Sequence, residues 1–124
     1  MRALVIDDSP PARRHVGSML AELGFEVYDA EEGGEGFQRL LALGMVELVI
    51  LDWNMPGMDG LAFLKQLRGD ARYDDVLVVM ATSNSDLTSV RIALDAGASE
   101  YMMKPFATDD LRDKLQILGF DFGG

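Results

Sequence analysis

The chain has 124 residues, a formal net charge of −10 at pH 7, 48% hydrophobic residues, 26% charged residues and no cysteine. These values are typical of one globular domain, and they exclude disulfide scaffolds, thiolate metal sites and cysteine nucleophiles. The negative charge disfavours direct binding to nucleic acid or to an anionic membrane surface. Without a signal peptide or an apolar segment of the roughly 20 residues that span a bilayer, we expect a single cytoplasmic domain over residues 1–124.

Five short apolar segments alternate with five helical patterns along the chain, about one strand–helix unit every 20–30 residues. This alternation predicts an α/β fold, a doubly wound five-stranded parallel sheet with helices on both faces. For five such units the common, flavodoxin-like strand order is 2-1-3-4-5. In chain order, the predicted elements are strand Arg2–Ile6, a helix from Pro10 to before Gly24, strand Phe25–Tyr28, helix 30–44, strand Glu47–Asp52, helix Leu61–Arg68, strand Val76–Met80, helix Asp86–Ala96, strand Glu100–Met103 and helix 108–118.

Two of these predictions concern helix ends. Gly33, Gly34 and Gly36 each weaken the first turns of the second helix by up to about 1 kcal/mol relative to alanine, so we expect that end to fray. The last helix is short, and the tail 119–124 is also expected to be frayed.

Carboxylates follow two of the predicted strands. The first strand ends at Asp7 and Asp8, and the third ends at Asp52, directly before a turn rich in proline and glycine. In the order 2-1-3-4-5 the switch point lies between the first and third strands, where ligands gather at the carboxyl ends of strands. The sequence therefore predicts one acidic pocket from three distant carboxylates.

The residues after the other strands suit phosphoryl transfer. Clustered carboxylates repel one another unless a cation is present, and a site of oxygen ligands favours Mg²⁺ or Mn²⁺. Lys104 provides a cation and Thr82 a hydroxyl donor for phosphoryl oxygens. Asp52 can then act as the nucleophile, because carboxylates form aspartyl-phosphate intermediates.

Each residue also has a simpler interpretation. Asp7 and Asp8 are typical of a helix cap, Asp52 of a turn, Thr82 of a loop and Lys104 of a solvated surface. The simpler interpretations do not account for the combination, because four separate strand ends all carry residues that one reaction requires.

Four motifs at matching spacings cover nearly the whole chain. They are Asp7-Asp8, Leu51-Asp-Trp-Asn-Met-Pro-Gly-Met-Asp-Gly60, Thr82, and Asp95-Ala-Gly-Ala-Ser-Glu-Tyr-Met-Met-Lys-Pro-Phe106. On these motifs the chain resembles the receiver domains of bacterial two-component response regulators, of the CheY-like, single-domain kind.

The resemblance implies a phosphorylatable signalling switch with intrinsic, Mg²⁺-dependent autophosphatase activity. Asp52 would accept a phosphoryl group from the phosphohistidine of a histidine kinase or histidine phosphotransfer protein, or from a small acyl phosphate. The implied metal ligands are Asp7, mainly through a bound water, Asp8, Asp52 and the backbone carbonyl of Asn54. The implied phosphoryl contacts are Thr82, Ser83 and Lys104, and the implied switch pair is Thr82 and Tyr101.

The resemblance also implies an output surface formed by the fourth helix, fifth strand and fifth helix, which would bind a downstream protein in a monomer or a phosphorylation-dependent dimer. Val90 and Leu94, with Leu87, form one apolar group on the fourth helix, while Ile92, Ala93 and Ala96 form another. A surface helix needs one apolar stripe, so the first group is either a broad core face or an exposed partner patch together with Tyr101.

Departures from the family pattern are few. Ser83 stands where the family usually has alanine or glycine, and His15 matches no motif.

We expect a cis Lys104–Pro105 bond in a tight turn that directs Lys104 into the pocket. Asn54 and Asn84 are expected to flank the path of the hydrolytic water and to affect the lifetime of the phosphorylated form.

Three other classes of protein fit less well. A phosphohydrolase of the haloacid dehalogenase type needs a second aspartate two residues after the first, where this chain has Asn54. A flavodoxin-like cofactor binder needs a phosphate-cradling loop after the first strand, where Asp8-Ser-Pro-Pro11 supplies a carboxylate and lacks N–H groups. A pseudo-receiver that acts only as a binding module has no need of the intact acidic residues.

Overall fold

The computed structural model describes residues 1–55, 58–83 and 87–122. The strands are β1 (Arg2–Ile6), β2 (Glu26–Ala30), β3 (Leu48–Asp52), β4 (Leu77–Thr82) and β5 (Glu100–Met103). The helices are α1 (Pro10–Glu22), α2 (Gly33–Leu43), α3 (Gly60–Arg68), α4 (Leu87–Asp95) and α5 (Thr108–Ile117), with a short 3-10 turn at Ala71–Tyr73.

The five strands form one parallel sheet in the order β2-β1-β3-β4-β5, which confirms the predicted fold class and strand order. Each parallel connection crosses over through a helix, as parallel strands require. The register pairs Ile6 with Leu51 and Asp52 with Ala81. The ends of β1, β3 and β4 therefore meet at one edge.

Helices cover both faces of the sheet and create two hydrophobic cores. On one face α1 and α5 bury residues such as Leu20 and Leu111, and on the other α2 and α3 bury Leu40 and Phe63. All five residues of β3 are buried, which explains why its branched aliphatic side chains do not alternate with polar ones.

Helix α2 begins three residues later than predicted, because Ala30 still belongs to β2. Its glycines have a packing role that their helix propensity does not reveal. A Cβ atom on Gly36 would lie 2.7 Å from Ile6 Cδ1 and 3.1 Å from Phe63 Cε2, and one on Gly33 would lie 2.8 Å from Met58 Sδ. The glycines therefore let the helix approach its neighbours closely.

The sequence predicts a frayed tail, and in the structure residues 119–122 make defined contacts after α5. Gly119 adopts a φ of 106°, and the Phe120 N–H donates to the Leu115 carbonyl at 3.0 Å. This turn directs Phe120 and Phe122 onto Phe25, with ring centroids 5.4 and 6.0 Å from the Phe25 ring. Aromatic burial thus anchors the segment after α5.

Across the described ranges, no helix has both the length and the apolar character needed to cross a membrane.

Candidate functional site

Three carboxylates meet at the switch point of the sheet. Asp7 directly follows β1 and Asp52 is the last residue of β3, and they are 4% and 8% exposed, whereas Asp8 is exposed. One carboxylate oxygen from each of the three lies within 4.8 Å of the others. The predicted acidic pocket is thus present.

Lys104 reaches this pocket from the turn after β5. Its Nζ lies 2.6 Å from Asp7 Oδ2 and 3.3 Å from Asp52 Oδ1, so one ammonium bridges two buried carboxylates. The Lys104 N–H donates to the Thr82 carbonyl at 2.9 Å, and the Lys104–Pro105 peptide bond is cis as predicted.

The surroundings of Asp52 disfavour its charge. Burial raises the pKa of Asp52, the charges of Asp7 and Asp8 raise it further, and Lys104 counteracts only part of this effect. Burial alone would lower the pKa of Lys104, but the hydrogen bond to Asp7 and the charges of Asp52 and Asp7 outweigh burial and raise it. Lys104 is therefore charged, and additional positive charge at the site would stabilise the charged form of Asp52.

The donor set fits a small divalent cation. Opposite ligands of a Mg²⁺ ion with bonds of about 2.1 Å lie about 4.2 Å apart. The carboxylate oxygens of Asp7, Asp8 and Asp52 lie within 4.8 Å of one another, a separation close to this span. All three ligands are hard oxygen donors, which suit Mg²⁺ or Mn²⁺.

Backbone contacts hold Asp7 in place. Asp7 Oδ1 accepts a hydrogen bond of 2.9 Å from the Ser9 N–H, while Ser9 itself caps α1. The Asp7 carbonyl accepts a 2.7 Å hydrogen bond from Arg13 Nη1, and Arg13 also forms ion pairs with Asp29 and Glu31. Arg13 is not among the predicted site residues, although its position one turn into the helix after the acidic pair could have indicated this contact.

A glycine lets α3 begin directly against the backbone of Asp52. A Cβ atom on Gly60 would overlap the carbonyl oxygen of Asp52, and the Gly60 N–H donates to the Trp53 carbonyl at 2.9 Å. Asp59 caps the helix through the Ala62 N–H at 2.8 Å. Asp52 and Trp53 at the end of β3 therefore lie directly against the start of α3.

The other predicted site residues lie around this pocket. Thr82 is fully buried and follows Ala81, the register partner of Asp52. Thr82 belongs to β4 instead of the loop predicted after it. Ser83 and Asn54 are exposed, while Asn84 lies outside the described residues.

The expected partner face is only partly an exposed surface. Leu94 is 43% exposed and Leu87 83%, but Val90 is partly buried against the core and Tyr101 is only 7% exposed. The apolar group on α4 is divided between core and surface: Val90 packs inward together with Ala93, because the helix directs these two positions, three residues apart, at the sheet.

Comparisons with known proteins agree with this geometry. The description of the matching family is "Response regulator receiver domain", and the match spans residues 3–116. Chemotaxis protein CheY1 of Helicobacter pylori is 39% identical over 119 residues, which cover 95% of this chain and 96% of that protein. A chemotaxis protein CheY homolog of Campylobacter jejuni is 38% identical over 125 residues, covering 99% of this chain and 96% of that protein. The crystallized CheY4 of Vibrio cholerae superimposes with a TM-score of 0.87 at 29% identity, covering 94% of this chain and 96% of that chain.

Fold and site together define a doubly wound α/β domain with a lysine-bridged acidic centre at its switch point. The chain belongs to the response regulator receiver domain family. It is a signalling protein of the CheY type, and membership of this family implies a phosphorylatable two-component switch.

Proposed function

We propose that Asp52 is the phosphoryl acceptor of this receiver domain. The observation that carries the proposal is the Lys104 ammonium, which lies 3.3 Å from Asp52 Oδ1 and 2.6 Å from Asp7 Oδ2. This arrangement places a cation where phosphoryl charge would develop beside a carboxylate nucleophile. The phosphodonor is the phosphohistidine of a histidine kinase or phosphotransfer protein, or a small acyl phosphate.

In the proposed reaction, an oxygen of Asp52 attacks phosphorus and forms a new P–O bond. The bond from phosphorus to the histidine nitrogen or acyl oxygen breaks, and the leaving group departs with the electron pair. Lys104 pairs with a phosphoryl oxygen, while Thr82 and Ser83 donate hydrogen bonds to the others. Hydrolysis of the aspartyl phosphate then returns the free carboxylate, which is the proposed autophosphatase activity.

The direct test of Asp52 is covalent labelling. Incubation with acetyl phosphate and Mg²⁺ should add one phosphoryl group to the protein, seen by intact mass, and none to Asp52→Asn. Asp113→Asn on the exposed side of α5 is the control and should label like the wild type. Equal labelling of Asp52→Asn would refute the assignment.

We further propose that Asp7, Asp8, Asp52 and the Asn54 backbone carbonyl hold Mg²⁺, with Asp7 acting through a water. The ion when bound would neutralise charge on the carboxylates and the phosphoryl oxygens. Asp8→Ala should abolish Mg²⁺ binding and leave the fold intact, because Asp8 is exposed and adds repulsion to Asp52. Trp53, next to the nucleophile, reports binding by fluorescence, and quenching of the variant equal to that of wild type would exclude Asp8 as a ligand.

The proposed switch consists of Thr82 and Tyr101. Both are buried, and alternation along paired strands puts them on the same face of the sheet, since Met80 pairs with Tyr101 and Thr82 with Met103. Movement of Thr82 toward a phosphoryl group would change the packing around Tyr101 and shift a pre-existing equilibrium. Asn54 and Asn84 are proposed to set the lifetime of the phosphorylated form, and unchanged decay in both substituted variants would contradict that role.

The proposed partner face is α4, β5 and α5, with Leu94 at its exposed part. Leu94→Ser should change thermal stability by less than about 0.5 kcal/mol, as exposed substitutions do, and weaken phosphorylation-dependent binding or dimerisation. Val90→Ser is the matched control, and it should cost about 1–2 kcal/mol because Val90 packs against the core. If Leu94→Ser leaves association unaltered, Leu94 is not part of the face.

A further inference from the structure

A groove of about 270 Å³ lies at the free edge of the sheet. It is lined by α1, by the edge strand β2 and by α2, through Arg13, Arg14, Gly17, Val27, Tyr28, Asp29 and Arg39. Because α1 and α2 cover opposite faces of the sheet, the groove wraps around the edge of β2.

The charge of this groove is opposite to that of the protein. The chain has a net charge of −10, yet three of its eleven lysines and arginines line this groove together with a single aspartate. Arg13 is engaged by Asp29 Oδ2 at 3.6 Å and by Glu31 Oε1 at 3.7 Å. Neither Arg14 nor Arg39 forms an ion pair or a side-chain hydrogen bond with any residue that the structure describes.

Glu32 and Glu35 line a neighbouring cavity together with Arg39, but neither forms an ion pair with it. Glu35 lies one turn before Arg39 on α2, but its Oε2 accepts from the Glu31 N–H at 3.4 Å. The two exposed guanidinium groups of Arg14 and Arg39 are thus available on the two sides of the groove.

The floor of the groove is open because position 17 is a glycine. A Cβ atom there would meet only Val27 Cγ1, at 3.5 Å, which is an ordinary contact. Packing therefore does not require glycine, although glycine within a helix is less favourable than alanine. Because Gly17 has no side chain, space remains above Val27 between Arg14 and Arg39.

We propose that this groove binds a dianionic phosphate group, either inorganic phosphate or the phosphate of a small ester. Arg14 and Arg39, which have no ion-pair partner among the described residues, match a phosphate of nearly −2 charge, and planar guanidinium groups bind phosphate oxygens through paired hydrogen bonds. At about 270 Å³ the groove has room for a phosphate group, and its open side leaves the remainder of an ester in solvent.

The test uses the Asp52→Asn protein without Mg²⁺, so that phosphorylation of the acidic site does not contribute and the result is independent of the proposed function. Inorganic phosphate and glycerol 1-phosphate are titrated separately at constant ionic strength, followed by amide chemical shifts. We expect saturable shifts at Gly17, Tyr28 and Arg39, with the tighter probe identifying the source of the phosphate. Arg14→Ala with Arg39→Ala should weaken binding roughly tenfold or more, because charge-assisted hydrogen bonds are lost.

Two variants distinguish a specific binding site from general electrostatic attraction. Lys65→Ala with Arg91→Ala removes the same charge from exposed positions on α3 and α4 and should leave the affinity unchanged. Gly17→Ala should raise the melting temperature and still weaken phosphate binding several-fold. Absence of saturable shifts in this groove, equal weakening in the control pair, or an unchanged affinity of Gly17→Ala would each overturn the proposal.

Discussion

The buried carboxylate of Asp52 has one cation, Lys104, and two like charges, Asp7 and Asp8, as its electrostatic neighbours. Because its pKa is raised in the folded protein, the group contributes stability that is fully present below its ordinary pKa. That contribution is lost as the pH rises through the raised value. At pH values above the raised pKa, where Asp52 is charged, its charge therefore opposes folding.

The first prediction is that Asp52→Asn raises the free energy of unfolding by an amount on the order of 1 kcal/mol at pH values above the raised pKa of Asp52. The amide keeps the shape of the carboxylate and removes its unfavourable charge. Urea denaturation at several pH values should show the gain shrinking as the pH falls through the raised pKa of Asp52. Asp113→Asn, which is exposed, should show no such dependence, and a constant difference at all pH values would contradict the explanation.

The second prediction concerns Lys104, whose side chain is 24% exposed. Lys104→Met should lower the free energy of unfolding by about 2 kcal/mol, because two buried carboxylates lose their shared cation. Mg²⁺ should stabilise this variant more than the wild type, since the ion would replace the missing positive charge. Lys65→Met on the exposed side of α3 serves as the control in the same denaturation series. An identical response of Lys104→Met and wild type to Mg²⁺ would argue against a shared site.

At the level of elements, two helical glycines differ in what surrounds them. Gly36 in α2 faces Ile6 and Phe63 at distances that leave no room for a methyl group, whereas Gly17 in α1 meets only Val27 at an ordinary distance. Helix propensity favours alanine equally at both positions, by about 1 kcal/mol. Packing therefore decides whether the substitution to alanine stabilises or destabilises the protein.

The third prediction follows from this contrast. Gly36→Ala should destabilise the protein by about 1–3 kcal/mol, because α2 or the Ile6 and Phe63 side chains must shift. Gly17→Ala should instead stabilise it by up to about 1 kcal/mol. Thermal and urea unfolding measure both. If both substitutions stabilise, the close packing of α2 on β1 does not hold.

At the level of the whole molecule, the net charge of −10 disfavours the compact state through self-repulsion. The acidic site concentrates three of these charges at one edge of the sheet. Salt screens the general repulsion, whereas a bound divalent ion acts only on the site. The two effects are therefore separable.

The fourth prediction is that MgCl₂ stabilises the protein more than NaCl at matched ionic strength. A saturating ligand at a hundred times its dissociation constant adds about 2.7 kcal/mol to the free energy of unfolding. Differential scanning calorimetry measures the difference, and Asp8→Ala should abolish the part specific to Mg²⁺ while keeping the response to NaCl. Equal stabilisation by both salts would mean that the ion only screens charge.

The sheet order and the acidic site were both predictable from the sequence. The strand–helix alternation specifies a doubly wound sheet, and in that sheet the end of a strand has a known location, so Asp7, Asp52 and Lys104 were correctly placed together. Local rules were sufficient here because each of these residues directly follows or ends a strand.

The contacts between side chains of different elements were not predictable from the sequence. The close approach at Gly36, the Arg13 hydrogen bond to the Asp7 carbonyl and the docking of Phe120 on Phe25 each join residues of different elements. On α4, packing against the sheet separated a partly buried Val90 from an exposed Leu94, although both belong to one apolar group in the sequence. Periodicity shows that a helix has an apolar stripe, but the rotation of the helix on the sheet sets which of its edges remains in solvent.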